Sequence, residues 1–372
     1  MKNVSNSNLT LSWVQWGRRH YYMGPLGLQN KLNIEIYVSH LFPKIPESLK
    51  NYSKTYRLDF VQERVERKIG INRDNALDYE DTTLLDSFHR KVLREFNKTD
   101  ILYTLANGYE IMSNVDSAIK IHDQVACHLT LAEIANKYKN KKINLDLLRD
   151  KEIKLFNSVD LVICPSENVR DYVNQLSPKT KTSIVRFPVR EIRNIVSRKI
   201  NINNLNALFV GRIEPAKGFA TIIDLAKLNP KINFHCVGMV LQKLENIPPN
   251  MKLYGNVPHC KINEYYEKAD LLLFPSLSEG SATVTQEAMA YGLPGIVSYQ
   301  SGSHYTDSYS GYVVDAYDTE RFDQCLKRLD ADRDLLSTFR EAVCKDILIY
   351  TMFNYHEAHY KSITSVLPDR YK

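Results

Sequence analysis

Two carboxylates and two cations stand out by type and spacing. Glu279 and Glu287 lie in FPSLSEGSATVTQEAMAYGLP, between an apolar run and a helical pattern expected from about Ala282 to Tyr291. Glu279-Gly280-Ser281 then falls at a helix N-terminus, where backbone N–H groups have no helical partner and can donate to phosphate or sugar oxygens. At 100° per residue, Glu287 stands about 80° around the helix and about 12 Å along it from Glu279. One carboxylate can hold a sugar while the other holds a nucleotide ribose. Upstream, FVGRIEPAKGF closes a strand at Gly211 and continues through Arg212 and Lys217 to Gly218. Gly211 permits close backbone approach, Arg212 offers a planar fork and Lys217 a point charge. The pair suits a diphosphate, reinforced by the helix expected from Phe219. Each residue taken alone also has a plainer reading: a helix-capping acid, a solvent-facing helix carboxylate, two cations on a solvated turn. The full strings are more specific than their parts.

Other residues invite weaker readings. A strand expected over Ala118–Ile121 runs into His122-Asp123, and an imidazole at such a strand end can bond a sugar hydroxyl or be satisfied by a turn. Gly17-Arg18-Arg19-His20 follows the first strand, and its two guanidiniums can meet an anionic acceptor or donor phosphates, or form a basic surface loop. Asp330-Ala331-Asp332 is a DxD string, but it sits in the charged helical stretch RLDADRDLL and reads as surface. His356 and His359 lack the further ligands that zinc needs. No GxxxxGK[ST] or GxGxxG is present, which disfavours P-loop and nicotinamide sites. Arg212 and Lys217 supply the charge a metal would, so neither a metal nor a cofactor is expected.

The chain of 372 residues, with 44% hydrophobic and 25% charged residues, suits two α/β domains. Apolar runs that read as strands occur at Leu11–Trp16, Ile34–Val38, Ile101–Leu105, Ala118–Ile121, Leu161–Cys164 and Ser183–Phe187. A second series follows at Ala207–Val210, Asn233–Val237, Lys252–Tyr254, Leu271–Phe274, Gly295–Val297 and Gly311–Val313. Helical patterns between them imply parallel sheets. The charged, Asn-rich stretch Arg190–Asn206 reads as a linker. The expected division is 1–195, 196–349 and a tail, 350–372, that returns to the first domain from a helical pattern over Leu335–Val366. A net charge of +6 is a mild bias that fits anionic ligands or an anionic membrane surface, not nucleic acid. Six cysteines without a CxxC pair suit a reducing cytoplasm. The polar Met1–Thr10 does not read as a signal peptide, and no apolar stretch is long enough to be expected to span a bilayer.

The strings Gly211-Arg212-Ile213-Glu214-Pro215-Ala216-Lys217-Gly218, Glu279-Gly280 through Glu287-Ala288-Met289-Ala290, and Gly292-Leu293-Pro294 resemble retaining glycosyltransferases of family 4. Gly302-Ser303 and Gly311-Tyr312-Val313-Val314 resemble that family's later strand–loop pattern. The likeness covers about Ala207–Asp318 and is weaker over the N-terminal half. It implies the GT-B fold, an α/β architecture of two Rossmann-like domains with parallel sheets facing across a deep cleft, the N-terminal one on the acceptor side. It implies that Arg212 and Lys217 neutralise a departing diphosphate, Glu279 binds hydroxyls of the transferred sugar and Glu287 binds ribose. Backbone amides of Ala282 and Thr283 would face sugar and phosphate, although many family members have Gly at the position of Ala282. The family often has a His near the donor sugar where His122 stands, and a loop over the donor or acceptor where Gly17–His20 stands. The partners implied are a UDP- or GDP-sugar and a glycan or lipid-linked acceptor, in cell-surface polysaccharide synthesis. The enzyme would be cytoplasmic, with peripheral contact on the inner membrane face. A nucleotide-sugar 2-epimerase of the same fold and a non-catalytic carbohydrate-binding relic remain as alternatives.

Overall fold

The computed structural model describes residues 9–16, 22–39, 45–56, 83–96, 99–105, 108–115, 119–189 and 204–369. The chain divides into two compact units, Met1–Val185 with Phe353–Lys372, and Arg186–Met352. Each is a parallel sheet with helices between its strands.

The first unit holds seven strands: β1 (Thr10–Trp16), β2 (Asn33–Ser39), β3 (Ser53–Thr55), β4 (Ile101–Leu105), β5 (Ile119–Asp123), β6 (Leu161–Cys164) and β7 (Thr182–Ile184). Their order is β3-β2-β1-β4-β5-β6-β7. The inner strands are near-continuous apolar runs because a parallel sheet is covered on both faces: β4 and β6 are buried at every residue. Trp13 of β1 stacks on Tyr103 of β4 with centroids 4.0 Å apart. The helix Met352–Thr364 sends His359 onto that pair, its Nε2 2.8 Å from Tyr103 Oη. Ser166 caps the helix Glu167–Leu176 by accepting from the Val169 N–H, the role its position suggests.

The second unit holds β8 (Asn206–Val210), β9 (Asn233–Val237), β10 (Met251–Gly255), β11 (Leu271–Phe274), β12 (Gly295–Ser298) and β13 (Gly311–Val314). Their order, β10-β9-β8-β11-β12-β13, is the doubly wound Rossmann arrangement. The chain runs outward from β8 to β10, then returns across the sheet to place β11 against the other side of β8, with Leu271 beside Ala207. The two strands share a core in which Phe209 lies 6.0 Å from Phe274 and 5.5 Å from Phe219, centroid to centroid.

The sequence reading and the structure differ at two places. The helical pattern over Leu335–Val366 is two helices, Arg333–Asp346 and Met352–Thr364, interrupted by the short 3-10 turn Ile347–Ile349. The edge strand β3, three partly buried residues of sequence SKT, has no apolar signal and exists through its pairing with β2. Asp330-Ala331-Asp332 serves structure: Asp332 caps the helix Arg333–Asp346 through the Leu335 N–H at 2.9 Å, and Asp330 pairs with Arg333 at 2.8 Å. Among the described residues no helix is long and apolar enough to cross a membrane.

Candidate active site

The C-terminal ends of β8 and β11 form the topological switch point of the second sheet, where adjacent strands send their following helices to opposite faces. The loop after β8 carries Gly211, Arg212 and Lys217. It turns through the 3-10 segment Pro215–Lys217 into the helix Phe219–Leu228. The loop after β11 carries Pro275 to Ala282 and enters the helix Thr283–Ala290. Strand order thus makes neighbours of two loops that the sequence separates.

The loops are stitched together. The Leu277 N–H donates to Ala216 O at 2.9 Å, and Lys217 Nζ forms an ion pair with Glu279 Oε1. Gly218 adopts φ 67°, and a Cβ there would lie 1.9 Å from Pro275 O, so the two backbones touch where only glycine fits. Both side chains of the ion pair are mostly buried, at 17% exposed for Lys217 and 20% for Glu279. A half-desolvated pair of this kind is stable while both charges remain matched. Arg212 is half exposed, and its Nη2 lies 2.9 Å from Glu214 Oε1, a carboxylate 2% exposed. The buried acid anchors the guanidinium at its inner end and leaves the outer part towards solvent.

A third loop, after β12, supports the second. Ser298 Oγ donates to Ser276 O at 2.6 Å, and the Glu279 N–H donates to Gln300 O at 2.8 Å. The Ala282 N–H donates to Ser301 O at 3.0 Å. The protein itself therefore occupies that amide, and Ala282 acts as the helix N-cap. No side chain caps this helix start, and Gln286 Nε2 reaches back to Ser281 Oγ at 3.1 Å. Gly280 is buried and Thr283 exposed on the two sides of the turn. On the same helix Glu287 is partly buried, and its Oε2 accepts from Tyr266 Oη at 2.8 Å. Tyr266 in turn stacks on Tyr291, 5.1 Å away.

Residues 192–346 match the family model described as glycosyl transferases group 1. Arg212, Lys217, Glu279 and Glu287 all lie inside the matched residues, and His122 lies outside them. The chain is 29% identical over 193 residues to the amylovoran biosynthesis glycosyltransferase AmsD of Erwinia amylovora, covering 48% of this chain and 51% of that protein. It is 27% identical over 194 residues to an uncharacterized glycosyltransferase of Methanocaldococcus jannaschii, covering 49% of this chain and 53% of the relative. The chain spans about half the length of these two relatives. Among solved structures, the sucrose-phosphate synthase of Thermosynechococcus elongatus superposes with a TM-score of 0.66 at 16% identity, over 96% of this chain and 98% of that one. The fold is GT-B, two Rossmann-like units with parallel sheets of seven and six strands.

Outside the matched residues lies His122. It is fully buried at the end of β5, with Nδ1 2.9 Å from Thr104 Oγ1 and Nε2 2.9 Å from Gln124 Oε1. Both ring nitrogens are satisfied within the fold. Burial lowers its pKa to about 4. The neighbouring Asp123, which accepts from Tyr103 Oη at 2.8 Å, is pushed by burial up to about 7. The signs oppose. A histidine with a folded pKa below the unfolded value of about 6.5 costs stability as pH falls from 6.5 towards 4, because the unfolded chain takes up a proton that the folded chain refuses. An aspartate with a raised pKa regains stability over the same range. The stability advantage of wild type over His122→Gln isolates the histidine. It should be about 1–3 kcal/mol at pH 7 and should shrink by about 3 kcal/mol towards pH 4. Denaturant titrations across that range check this, and a pH-independent difference would refute it.

Gly17, Arg18, Arg19 and His20 lie outside the described residues, as does most of the expected linker. His356 and His359 are occupied separately, by Met23 O at 3.0 Å and Tyr103 Oη at 2.8 Å. Sequence reasoning missed Glu214, Ser276 and Tyr266 as site supports. Glu214 and Ser276 stand inside the motifs already singled out. For Tyr266 no local signal existed, since its role depends on the helix that carries Glu287.

Proposed function

We propose that this chain is a retaining glycosyltransferase that moves a sugar from a UDP- or GDP-sugar to a glycan or lipid-linked acceptor. The observation that carries the reading is the pairing of Lys217 with Glu279 on adjacent loops at the switch point of the second sheet. A cation and a carboxylate a few atoms apart suit the two halves of a nucleotide sugar, with the diphosphate meeting Lys217 and the sugar hydroxyls meeting Glu279. Arg212 adds a planar, partly exposed guanidinium for the same diphosphate. Gly211 leaves room for the phosphates against the backbone. Gly280, Ser281 and Thr283 present the uncapped start of a helix, which favours anions. Glu287, with one oxygen already bonded to Tyr266, accepts from the ribose hydroxyls.

In the reaction the anomeric carbon–oxygen bond to the diphosphate breaks. The acceptor hydroxyl bonds the same carbon on the same face, and its proton passes to the departing phosphate. Charge grows on that phosphate in the transition state, so Arg212 and Lys217 contribute most there. They supply the neutralising charge without a metal ion. Glu279 positions the sugar and is not a nucleophile. The likeness to an amylovoran biosynthesis glycosyltransferase supports a role in polysaccharide assembly. A net charge of +6 supports peripheral work at the cytoplasmic face of an anionic membrane.

The test is a thermal-shift screen of the full chain against UDP- and GDP-sugars. A true donor at 100 times its Kd stabilises the folded state by about 2.7 kcal/mol. Incubating the hit alone and then with acceptors separates transfer from epimerisation. The reading fails if no nucleotide sugar shifts the transition.

A further inference from the structure

Ser276 lies on the loop that carries Glu279 and faces the loop that carries Lys217. It is fully buried, and its Oγ lies 3.0 Å from Glu279 Oε1 and 3.2 Å from Ala216 O. Its own carbonyl is clamped by Ser298 Oγ. A hydroxyl has one proton to donate, and of its two acceptors the charged carboxylate is the stronger. The Ala216 carbonyl also has the Leu277 N–H, so the loop carrying Lys217 stays tethered without the hydroxyl. The carboxylate depends on it more. Glu279 Oε1 is held from one side by a rigid, buried hydroxyl and from the other by the long, rotatable arm of Lys217. Once a diphosphate draws Lys217 away, the Ser276 hydroxyl still holds this oxygen.

We propose that Ser276 is a positioning residue for the transferred sugar. It fixes the rotamer of Glu279, so that the carboxylate meets the sugar hydroxyls already aimed and the ordering cost of its side chain is met on folding, not on binding. This rests on the function proposed above. A residue that only stitched the loops together would affect every ligand of the site alike. A residue acting through Glu279 affects the sugar and leaves the nucleotide untouched.

The experiment compares wild type, Ser276→Ala, Glu279→Ala and the double variant as full chains, using the nucleotide sugar found in the screen and the corresponding free nucleoside diphosphate. For Ser276→Ala the expected result is diphosphate affinity within about twofold of wild type and kcat/KM for the donor lowered about tenfold. In the Glu279→Ala background the serine substitution should add less than about twofold, the non-additivity of residues acting as a unit. Parallel loss of diphosphate and donor binding, or full additivity of the two substitutions, would overturn the proposal in favour of a stitching role. Failure of wild type to bind any nucleotide sugar would instead strike at the underlying function, and that arm is read first. Melting curves check folding. Should Ser276→Ala fold poorly, Ser276→Cys keeps a side chain of similar shape with a weaker donor and is expected to show the same selective loss.

Discussion

Replacing Lys217 with alanine is expected to lower kcat by about 10²–10³-fold with a cognate donor, the usual cost of deleting one preorganised charge that faces a developing anion. The ion pair with Glu279 is the reason to expect a functional rather than a structural loss. Lys217 is mostly buried, yet its ammonium is held by the Glu279 carboxylate, and Glu279 keeps its hydrogen bond from Ser276 when the lysine is gone. The unmatched carboxylate lowers stability, the Ser276 hydrogen bond limits that loss, and the leaving group loses its nearest cation. Lys217→Arg should recover part of the activity, because the charge returns in a different shape. Steady-state kinetics with each variant check this. Turnover of Lys217→Ala within about threefold of wild type would remove Lys217 from the chemistry and return it to a loop brace.

Gly218→Ala should destabilise the second unit by about 2–5 kcal/mol and abolish transfer together with it. Its φ of 67° is unfavourable for any side chain, and the added Cβ would lie 1.9 Å from Pro275 O and 2.7 Å from Pro275 C. Those are backbone atoms of the loop that carries Glu279, so relief of the clash must pull the two site loops apart. Gly255 gives an internal control. It has φ 68°, and a Cβ added there would meet nothing within 4 Å, so Gly255→Ala reports the conformational cost alone, about 1–2 kcal/mol. Denaturant midpoints of the two variants side by side separate the terms. If Gly218→Ala is no more destabilising than Gly255→Ala, the close approach of the loops is not what holds this site together.

Much of this arrangement is written in local sequence. Runs such as Ala207–Val210 and Leu271–Phe274 can only be covered strands, because four or five consecutive apolar residues bounded by Gly or Pro are too short for a helix and too apolar for a loop. All twelve apolar runs named from sequence correspond to strands, with shifts of a few residues at ends such as that of β7. The alternation of strands with helical patterns carries the fold class for the same reason. The edge strand β3 escaped because its stability comes from a neighbour rather than from its own side chains. The break near Ile347 escaped because the amphipathic pattern continues across it.

The site divides along the same line. Residue type and spacing single out Arg212, Lys217, Glu279 and Glu287 as the groups proposed to hold a nucleotide sugar, and put three of them on loops leaving strand ends. Only the tertiary structure decided that Lys217 and Glu279 meet, since that contact spans 62 positions and exists because β8 and β11 are neighbours in the sheet. Only it showed Ser276 bonded to that carboxylate and Tyr266 bonded to Glu287. His122 marks the boundary most clearly. Its place at a strand end was legible, but whether an imidazole faces a ligand or the core depends on Thr104 and Gln124, which the fold brings to its two nitrogens. Local sequence determines what a side chain can do, and the packing of distant strands determines which of those things is left for it to do.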